Sequence, residues 1–398
     1  MNSTRIVITG PSAHPLPLLG HGLWVDHLAD VASTEALVRQ LGGAHLDMLV
    51  DLRRPNSFER LLEALALSQQ AQVDAWLLVI VSDEAPEKQL RELSRVLADS
   101  PTRPKGILVT PAAYLLSYQP DAVWPDGPTP EDVAVLARDI LPGYEIGGGV
   151  PTYFTELNRC RPAPDSFDYL THATSPIVHA ADDLSVMESL ESLGDIVRSA
   201  RQLACGKPYR LTTSAIGAWC NPYGGQLTPN PERQRLTLSD RDPRQRGLFA
   251  AAWTLGHYAA VQRAGVDAIA LWAVNEPFAV AAAGEYWPVF HVLRGLNQGR
   301  GKAAMDVDVS SSAISALCWR EGRQVKVWLA NLTGHEQVAE LEGLNIIGCA
   351  RLAADTVEVA HDDPGFMARL DTSAPAVTSL QPYEVLVLDC RWSVERGL

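Results

Sequence analysis

Over residues 1–302 the sequence alternates short apolar runs with stretches of helical periodicity, and this alternation restricts the possible folds most strongly. Strands that alternate with helices form a parallel sheet, because parallel neighbours need a long crossover connection. Eight strands, each followed by a helix or a long loop, predict an α/β protein built on a (β/α)8 TIM barrel. The eight strand-like runs are Leu19 to Val25, Leu46 to Leu52, Ala75 to Val81, Gly106 to Thr110, Tyr144 to Gly148, Tyr169 to Ala173, Tyr209 to Thr213 and Ala268 to Trp272.

A doubly wound open sheet is the alternative arrangement of the same elements. It would need a phosphate-binding loop of the form G-x-G-x-x-G between its first strand and first helix. The glycines at Gly20 and Gly22 have no third glycine at the required spacing. The pattern therefore favours the barrel.

The pattern changes after residue 302. Short strand-like runs at Ala313 to Trp319, Val325 to Leu329 and Glu384 to Leu388 are separated by turn signals. Short strands without intervening helices are typical of antiparallel β domains. We therefore predict a barrel over residues 1–302, with its active site at the C-terminal ends of the strands, and a β-sandwich accessory domain over residues 303–398.

Charge and composition exclude several classes of partner. The 398 residues carry a net charge of -14, whereas a nucleic acid or an anionic membrane would require a basic face. No apolar run reaches the roughly 18 residues of a membrane span, and the N-terminus lacks the apolar core of a secretory signal. The six cysteines are scattered and form no C-x-x-C pair. We expect a cytoplasmic protein that acts on a small molecule, and the sequence leaves its oligomeric state open.

No sequence motif predicts a cofactor or a metal. The histidines do not form H-x-x-x-H or H-x-H, and no serine occupies a G-x-S-x-G nucleophile elbow. The expectation is an enzyme without a cofactor. Its functional side chains should lie where barrel proteins bind their ligands, at the carboxyl ends of the strands.

The segment Gly147–Arg159 follows the fifth predicted strand and begins with three glycines. Glycine allows sharp turns and close approach of a ligand or a neighbouring chain. Glu156 could serve as an acid, a base or a nucleophile, depending on how its surroundings set its pKa. Asn158 and Arg159 could hold the substrate. The alternative is a glycine-rich turn followed by a helix in which Glu156 pairs with Arg159 three residues later.

Polar side chains also follow the second and sixth strands. Asp51 and Arg53 could form a substrate clamp, or equally a structural ion pair across the barrel mouth. His179 could transfer protons near neutral pH. Asp182 or Asp183 could orient His179, or could cap the helix that begins near Leu184.

Two further groups of polar residues follow the last two strands. The long loop from Gly217 to Asp240 contains Trp219 and Asn221, which suit a sugar-like ligand, and loops of this length are often functional. Asn275 and Glu276 follow the eighth strand. The Asn-Glu pair is similar to an element of many barrel glycosidases. Glu156 and Glu276 are three strands apart, as are the two catalytic carboxylates of clan A glycoside hydrolases.

Several segments together resemble the bacterial D-apionate lactonase family, which opens a sugar-acid lactone. The resemblance runs from about His21 to Leu332, and its most specific parts are Glu156-Leu157-Asn158-Arg159 and the segment around His179. It implies a TIM barrel with a β domain and a hydrolytic role, with Glu156, Asn158 and His179 in the site. The other segments that carry it are Gly147-Gly148-Gly149, Arg161-Pro162, Asp242-Pro243-Arg244-Gln245, Ala251-Ala252-Trp253-Thr254-Leu255-Gly256 and Trp287-Pro288-Val289-Phe290-His291-Val292.

Two departures from the family pattern accompany the resemblance. The family carries an additional N-terminal β region, which we do not find in this sequence. It also tends to have an acidic residue directly at the end of the last strand, where this chain has Trp272-Ala273 and then Glu276. A different substrate, or the loss of activity, is compatible with these departures.

Three hypotheses of function follow. The first is a hydrolase that opens a small sugar-derived lactone, with Glu156 or His179 activating water and Asn158, Arg159 or Arg53 holding the substrate or the oxyanion. The second is a retaining glycoside hydrolase that uses Glu156 and Glu276, which requires the two carboxyl groups to lie about 5–5.5 Å apart. The third is a non-catalytic barrel that binds a sugar, because the fold alone does not determine function.

Overall fold

A computed structural model describes residues 3–372 and 378–393. Its central element is a closed barrel of eight parallel strands in sequence order. The predicted (β/α)8 barrel is therefore confirmed, and each of the eight predicted strands is present. The strands are β2 (Leu18–Trp24), β3 (His45–Asp51), β4 (Asp74–Val81), β5 (Gly106–Pro111), β6 (Glu145–Tyr153), β7 (Tyr169–Ala173), β8 (Tyr209–Ser214) and β9 (Ala268–Ala273).

Helices connect these strands and cover the outside of the barrel. Thr129 caps one of these helices and forms a reciprocal capping box with Asp132. Asp182 caps another, because its side chain accepts a hydrogen bond from the Ser185 backbone N–H. A helix cap was one of the two roles predicted for Asp182. The helices are α1 (Val31–Leu41), α2 (Ser57–Ala71), α3 (Pro86–Asp99), α4 (Pro130–Ile140), α5 (Phe154–Arg159), α6 (Asp183–Ala204), α7 (Leu248–Ala264), α8 (Pro288–Asn297) and α9 (Val357–Asp362).

The barrel interior near the N-terminal ends of the strands holds large and charged side chains. Arg210 on β8 reaches Asp47 on β3, with 3.2 Å between Nη2 and Oδ1, and its guanidinium lies 3.6 Å from the centroid of the Trp76 ring. Because β3 and β8 are not neighbours, this ion pair crosses the barrel. Glycines make room for it: a Cβ at Gly106 would lie 2.5 Å from Trp76 and 2.8 Å from Tyr169.

The C-terminal region forms a second, mostly antiparallel sheet. Its strands are β1 (Thr4–Pro11), β12 (Ala303–Val309), β13 (Ile314–Glu321), β14 (Gln324–Asn331), β15 (Gln337–Glu342), β16 (Leu344–Leu352), β17 (Thr378–Leu380) and β18 (Val385–Trp392). They lie in the order β16-β18-β14-β13-β12-β1-β15-β17, and within the described part of this sheet only the β1–β15 pair is parallel. A two-stranded ribbon, β10 (Ala281–Ala282) with β11 (Glu285–Tyr286), lies outside this sheet.

Both faces of this sheet bury apolar side chains, since side chains alternate along a strand. On β14, Val327 and Leu329 face a second hydrophobic core, whereas Trp328 packs into the core shared with the barrel. Strand β1 comes from the N-terminal end of the chain and pairs with β12 and β15. A division of the chain at residues 302 and 303 does not anticipate this pairing, because it assigns β1 to the barrel.

Candidate functional site

A break in strand β6 directs the chain into the candidate site. Gly149 has φ = 101°, and a Cβ there would lie closer than 3.0 Å to the carbonyl oxygen of Thr171. The register with β7 shifts between Gly149 and Tyr153. Only glycine fits this combination of conformation and close approach. The irregularity leads directly into helix α5, which carries Glu156.

Glu156 is a buried carboxylate with only 5% of its surface exposed. Its Oε2 accepts a hydrogen bond of 3.2 Å from the Tyr153 backbone N–H. Burial raises the pKa of Glu156 above its ordinary value, and hydrogen bonds from Ser117 and Tyr153 offset only part of this effect. A buried carboxylate with a raised pKa at the end of a barrel strand is a candidate for a group that exchanges protons with a substrate.

Ser117 lies between Glu156 and Arg159. Arg159 Nη1 donates a hydrogen bond of 2.5 Å to Ser117 Oγ, and the Ser117 hydroxyl in turn donates to the Glu156 carboxylate. The positive charge of Arg159 lowers the pKa of Glu156 from a distance. One interpretation of this segment predicts a direct pair between Glu156 and Arg159. The structure instead connects them through Ser117, as a chain of guanidinium, hydroxyl and carboxylate.

Glu156 and His179 line the same cleft, whose cavity volume is about 190 Å³. His179 is exposed at its rim, with 3.4 Å between its Nε2 and the hydroxyl of Tyr223. The structure thus brings together two of the three residues predicted to be catalytic. The remaining wall is formed by Tyr153, Phe154, Thr155, Ala173, Thr174, Ser175, Val178, Ile196 and Pro222.

Two loops meet beside this cleft and hold each other in place. The Ser117 backbone N–H donates to the Pro222 carbonyl (2.8 Å), and the Tyr153 hydroxyl donates to the Cys220 carbonyl (2.9 Å). Asn221 uses its amide within its own loop, because Nδ2 donates to Gln226 O and Oδ1 accepts from Tyr223 N. Trp219 is half-buried against the barrel core. Neither predicted substrate-binding residue of this loop lines the Glu156 cleft.

Asp51 and Arg53 form a closed ion pair after β3. Both distances between the Arg53 guanidinium and the Asp51 carboxylate are 2.8 Å. Burial raises the pKa of Asp51, but the hydrogen bonds and the charge of Arg53 outweigh it, so the pKa lies below its ordinary value. The two residues thus form an ion pair with each other at the end of one strand, rather than across the barrel mouth. Asn158 is likewise engaged, because its Oδ1 accepts a hydrogen bond of 2.7 Å from Arg161.

Asn275 and Glu276 have different surroundings from Glu156. Asn275 joins the end of β9 to the end of β2, since Oδ1 accepts from Trp24 N (3.0 Å) and Nδ2 donates to Trp24 O (2.8 Å). Glu276 is exposed, and its carboxylate lies 3.9 Å from Arg246. Glu276 does not line the Glu156 cleft. Among the described residues, Glu156 and Glu276 therefore do not line one cleft together, as the two carboxylates of a retaining glycosidase would.

Sequence reasoning missed Ser117 and Tyr153 as members of the site. Tyr153 carries a partial signal, because a glutamate three residues after an N-cap can accept a hydrogen bond from the N-cap backbone N–H, as Glu156 does from Tyr153. The Tyr153 side chain makes no cap hydrogen bond. Ser117 carries no such signal, since it lies in the loop that follows a different strand, β5.

Within the residues that the structure describes, there is no group of three metal-ligating side chains close enough to hold an ion, and no helix is long and apolar enough to span a membrane.

Solved structures with a similar fold include two glycoside-cleaving enzymes. A bifunctional glucanase-xylanase from a metagenome library has a TM-score of 0.63 and 11% identity, with 99% of this chain and 100% of that chain covered. A family 51 α-L-arabinofuranosidase from Bifidobacterium longum has a TM-score of 0.61 and 13% identity, with coverage of 98% and 100%. At such low identity the likeness shows the shared architecture alone.

Comparison with sequence families is more specific. The TIM-barrel domain of D-apionate lactonase matches residues 19–301, and the C-terminal immunoglobulin-like domain of D-apionate lactonase matches residues 311–388. A D-apionate lactonase from Brucella anthropi is 39% identical over 246 residues, which cover 60% of this chain and 40% of that protein. This chain thus matches less than half the length of that relative. Because the barrel match alone covers more than half of the chain, the protein belongs to the D-apionate lactonase family.

Proposed function

We propose that this protein is a hydrolase that opens a small sugar-derived lactone, similar to D-apionolactone, to its sugar acid. The observation that carries the proposal is the buried carboxylate of Glu156, whose raised pKa suits proton exchange, in a cleft at the end of a barrel strand. Family membership supports the reaction class. The cavity of about 190 Å³ suits a single small ring, because pockets for drug-sized ligands measure about 300–1,000 Å³.

The geometry suggests how the reaction would proceed. Ionised Glu156 accepts a proton from a water molecule, and the water oxygen attacks the lactone carbonyl. When the tetrahedral intermediate collapses, the bond from the carbonyl carbon to the ring oxygen breaks. Glu156 then returns its proton to the ring oxygen, so that a hydroxyl and a carboxylic acid result. A carboxyl group with a raised pKa can serve both steps, because it is a better base when ionised and still gives up its proton.

Arg159, Ser117 and His179 have supporting roles in this proposal. Arg159 orients Ser117, whose hydroxyl holds the Glu156 carboxylate in place. His179 at the rim can donate to the substrate, because the one hydrogen-bond contact of its Nε2 within the described residues is the long 3.4 Å contact with Tyr223. A good donor to the developing oxyanion contributes about 3–4 kcal/mol. Asp51, Arg53 and Asn158 are held by other protein groups, so we give them no part in the reaction.

The test is a pH-indicator hydrolysis assay on aldono- and apionolactones, with aryl glycosides in parallel. Glu156→Gln should lower kcat by about 100- to 10,000-fold, the usual contribution of a general base. Glu59→Gln is the matched control, because Glu59 is exposed in the first turn of α2. Lactonase activity that survives both Glu156→Gln and His179→Ala would refute the assigned roles.

The aryl glycosides test the retaining glycosidase. Aryl release that is lost in both Glu156→Gln and Glu276→Gln, without lactone hydrolysis, would transfer the assignment to that enzyme class. Ligand-induced stabilisation without turnover of either substrate class would instead indicate a sugar-binding protein.

A further inference from the structure

A second cleft lies between the barrel and the C-terminal sheet. It is bounded by helices α6 and α7 and by the start of β13, and its cavity volume is about 320 Å³. It shares no lining residue with the Glu156 cleft. Its floor is closely packed, because a Cβ at Gly256 would lie 2.6 Å from Leu190 and 3.4 Å from Leu332. Its volume falls within the range of small-molecule sites, about 300–1,000 Å³, which often form between domains.

One wall of this cleft presents an arginine with spare hydrogen-bond donors. Arg263 lies in the last turn of α7, and its Nη1 donates to the Ala316 carbonyl at 3.4 Å. Among the described residues, no neighbouring charge contributes to the pKa shift of Arg263. Arg263 is exposed to solvent, and partial desolvation by its surroundings lowers its pKa. A guanidinium has five N–H donors and matches a carboxylate in a bidentate pair, so this wall suits a carboxylate ligand.

Serine residues line the same cleft as Arg263. Ser315 is only 7% exposed, and its Oγ has no hydrogen-bond partner among the described residues. Buried hydroxyls nearly always have a partner, because leaving one unpaired costs about 1–3 kcal/mol. Ser311 and Ser312 line the same wall and are exposed. The unpartnered Ser315 hydroxyl is an independent indication of a polar ligand.

Helix α6 contributes acidic side chains to the cleft. Glu188 and Glu191 line it from α6 and lie three residues apart, on one face of the helix. Carboxylates accept hydrogen bonds from the hydroxyls of a ligand. They repel any anion, and they repel a phosphate dianion more strongly than a carboxylate with a single charge. The two walls together therefore fit a ligand with one carboxylate and several hydroxyl groups.

We propose that this cleft binds a small polyhydroxy carboxylate, that is, a sugar acid. The ligand carboxylate pairs with Arg263, and its hydroxyls bind Ser315, Glu188 and Glu191. The product of the proposed reaction belongs to the same chemical class. The binding itself does not require hydrolysis, so the inference stands or falls separately from the lactonase activity.

Isothermal titration calorimetry with sodium D-gluconate tests this inference, with D-glucitol as the probe that lacks the carboxylate. The wild type should bind gluconate saturably, and Arg263→Gln should weaken binding about tenfold or more, the effect of a lost charge-assisted hydrogen bond. Arg95→Gln is the matched control, because Arg95 is an exposed arginine on α3 far along the chain from this cleft. Binding in Arg95→Gln should equal that of the wild type.

Ser315→Ala provides a second variant, which removes one hydroxyl and keeps the test available if Arg263→Gln does not fold. It should weaken gluconate binding about three- to tenfold. Three results would overturn the proposal: the absence of gluconate binding, an unchanged affinity in both variants, or equal affinity for D-glucitol. An unchanged affinity in both variants would place the bound gluconate elsewhere, for instance as product in the Glu156 cleft.

Discussion

Replacement of Gly149 by alanine should both destabilise the protein and impair the candidate site. The backbone at Gly149 has φ = 101°, a conformation that side chains other than glycine rarely adopt. Such strain costs about 1–3 kcal/mol. The new methyl group would also lie closer than 3.0 Å to the Thr171 carbonyl oxygen, and overpacking of this kind costs about 1–3 kcal/mol. The expected loss in the free energy of unfolding is therefore about 2–6 kcal/mol.

Two other glycines separate the contributions to this loss. Gly206 has φ = 83° with nothing within 4 Å of the added Cβ, so Gly206→Ala should cost only the strain of about 1–2 kcal/mol. Gly194 lies inside α6 with an open surrounding and no positive φ. Gly194→Ala should therefore stabilise the protein by about 0.5–1 kcal/mol, because alanine favours a helix.

Urea denaturation, followed by circular dichroism, measures all three variants under the same conditions. The expected order of stability is Gly194→Ala, wild type, Gly206→Ala and then Gly149→Ala. The lactone assay should also show a lower kcat for Gly149→Ala, since the break in β6 positions Glu156. If Gly149→Ala were no less stable than Gly206→Ala and kept full activity, the close approach of β6 to Thr171 and its role in the site would be refuted.

Two further predictions concern the protonation of Glu156. Ser117→Ala removes a hydrogen bond that lowers the pKa of Glu156. The acidic limb of the kcat–pH profile should therefore move to higher pH in Ser117→Ala, and it should return to the wild-type position in Ser117→Thr. An acidic limb that does not move in Ser117→Ala would exclude this contact. Because the pKa of Glu156 is raised in the folded protein, the wild type loses stability as pH rises from the unfolded value near 4.5 through the folded pKa. Denaturation at several pH values should therefore show Glu156→Gln gaining stability over the wild type across this window, and a constant difference would contradict the raised pKa.

The site was only partly predictable from the sequence. Glu156 and His179 could be named because each follows a barrel strand, and ligands bind where the strands end. Their shared cleft depends on how neighbouring loops pack. Asp51, Arg53 and Asn158 have equally suitable side chains, but the structure pairs each of them with another protein group. Residue type and position therefore predict which side chains are available, whereas hydrogen-bond partners decide which remain free.

Ser117 shows why part of the site could not be predicted. It meets Arg159 across 42 positions of sequence and lies in a loop without a motif. Its contact with Glu156 exists only because the loop that follows β5 is held against the loop that follows β8. Nothing in the local sequence around Ser117 encodes this meeting.

The elements of the fold are encoded in local sequence patterns. Apolar runs and helical periodicity act between residues close in the chain, so the eight barrel strands could be predicted. The contacts between residues far apart in the chain arise from tertiary packing. Asp47 and Arg210 pair across 163 positions inside the barrel, Asn275 reaches Trp24 across 251, and β1 joins the C-terminal sheet. Such contacts depend on chain closure and on packing that fills space in three dimensions, and local periodicity carries no record of either.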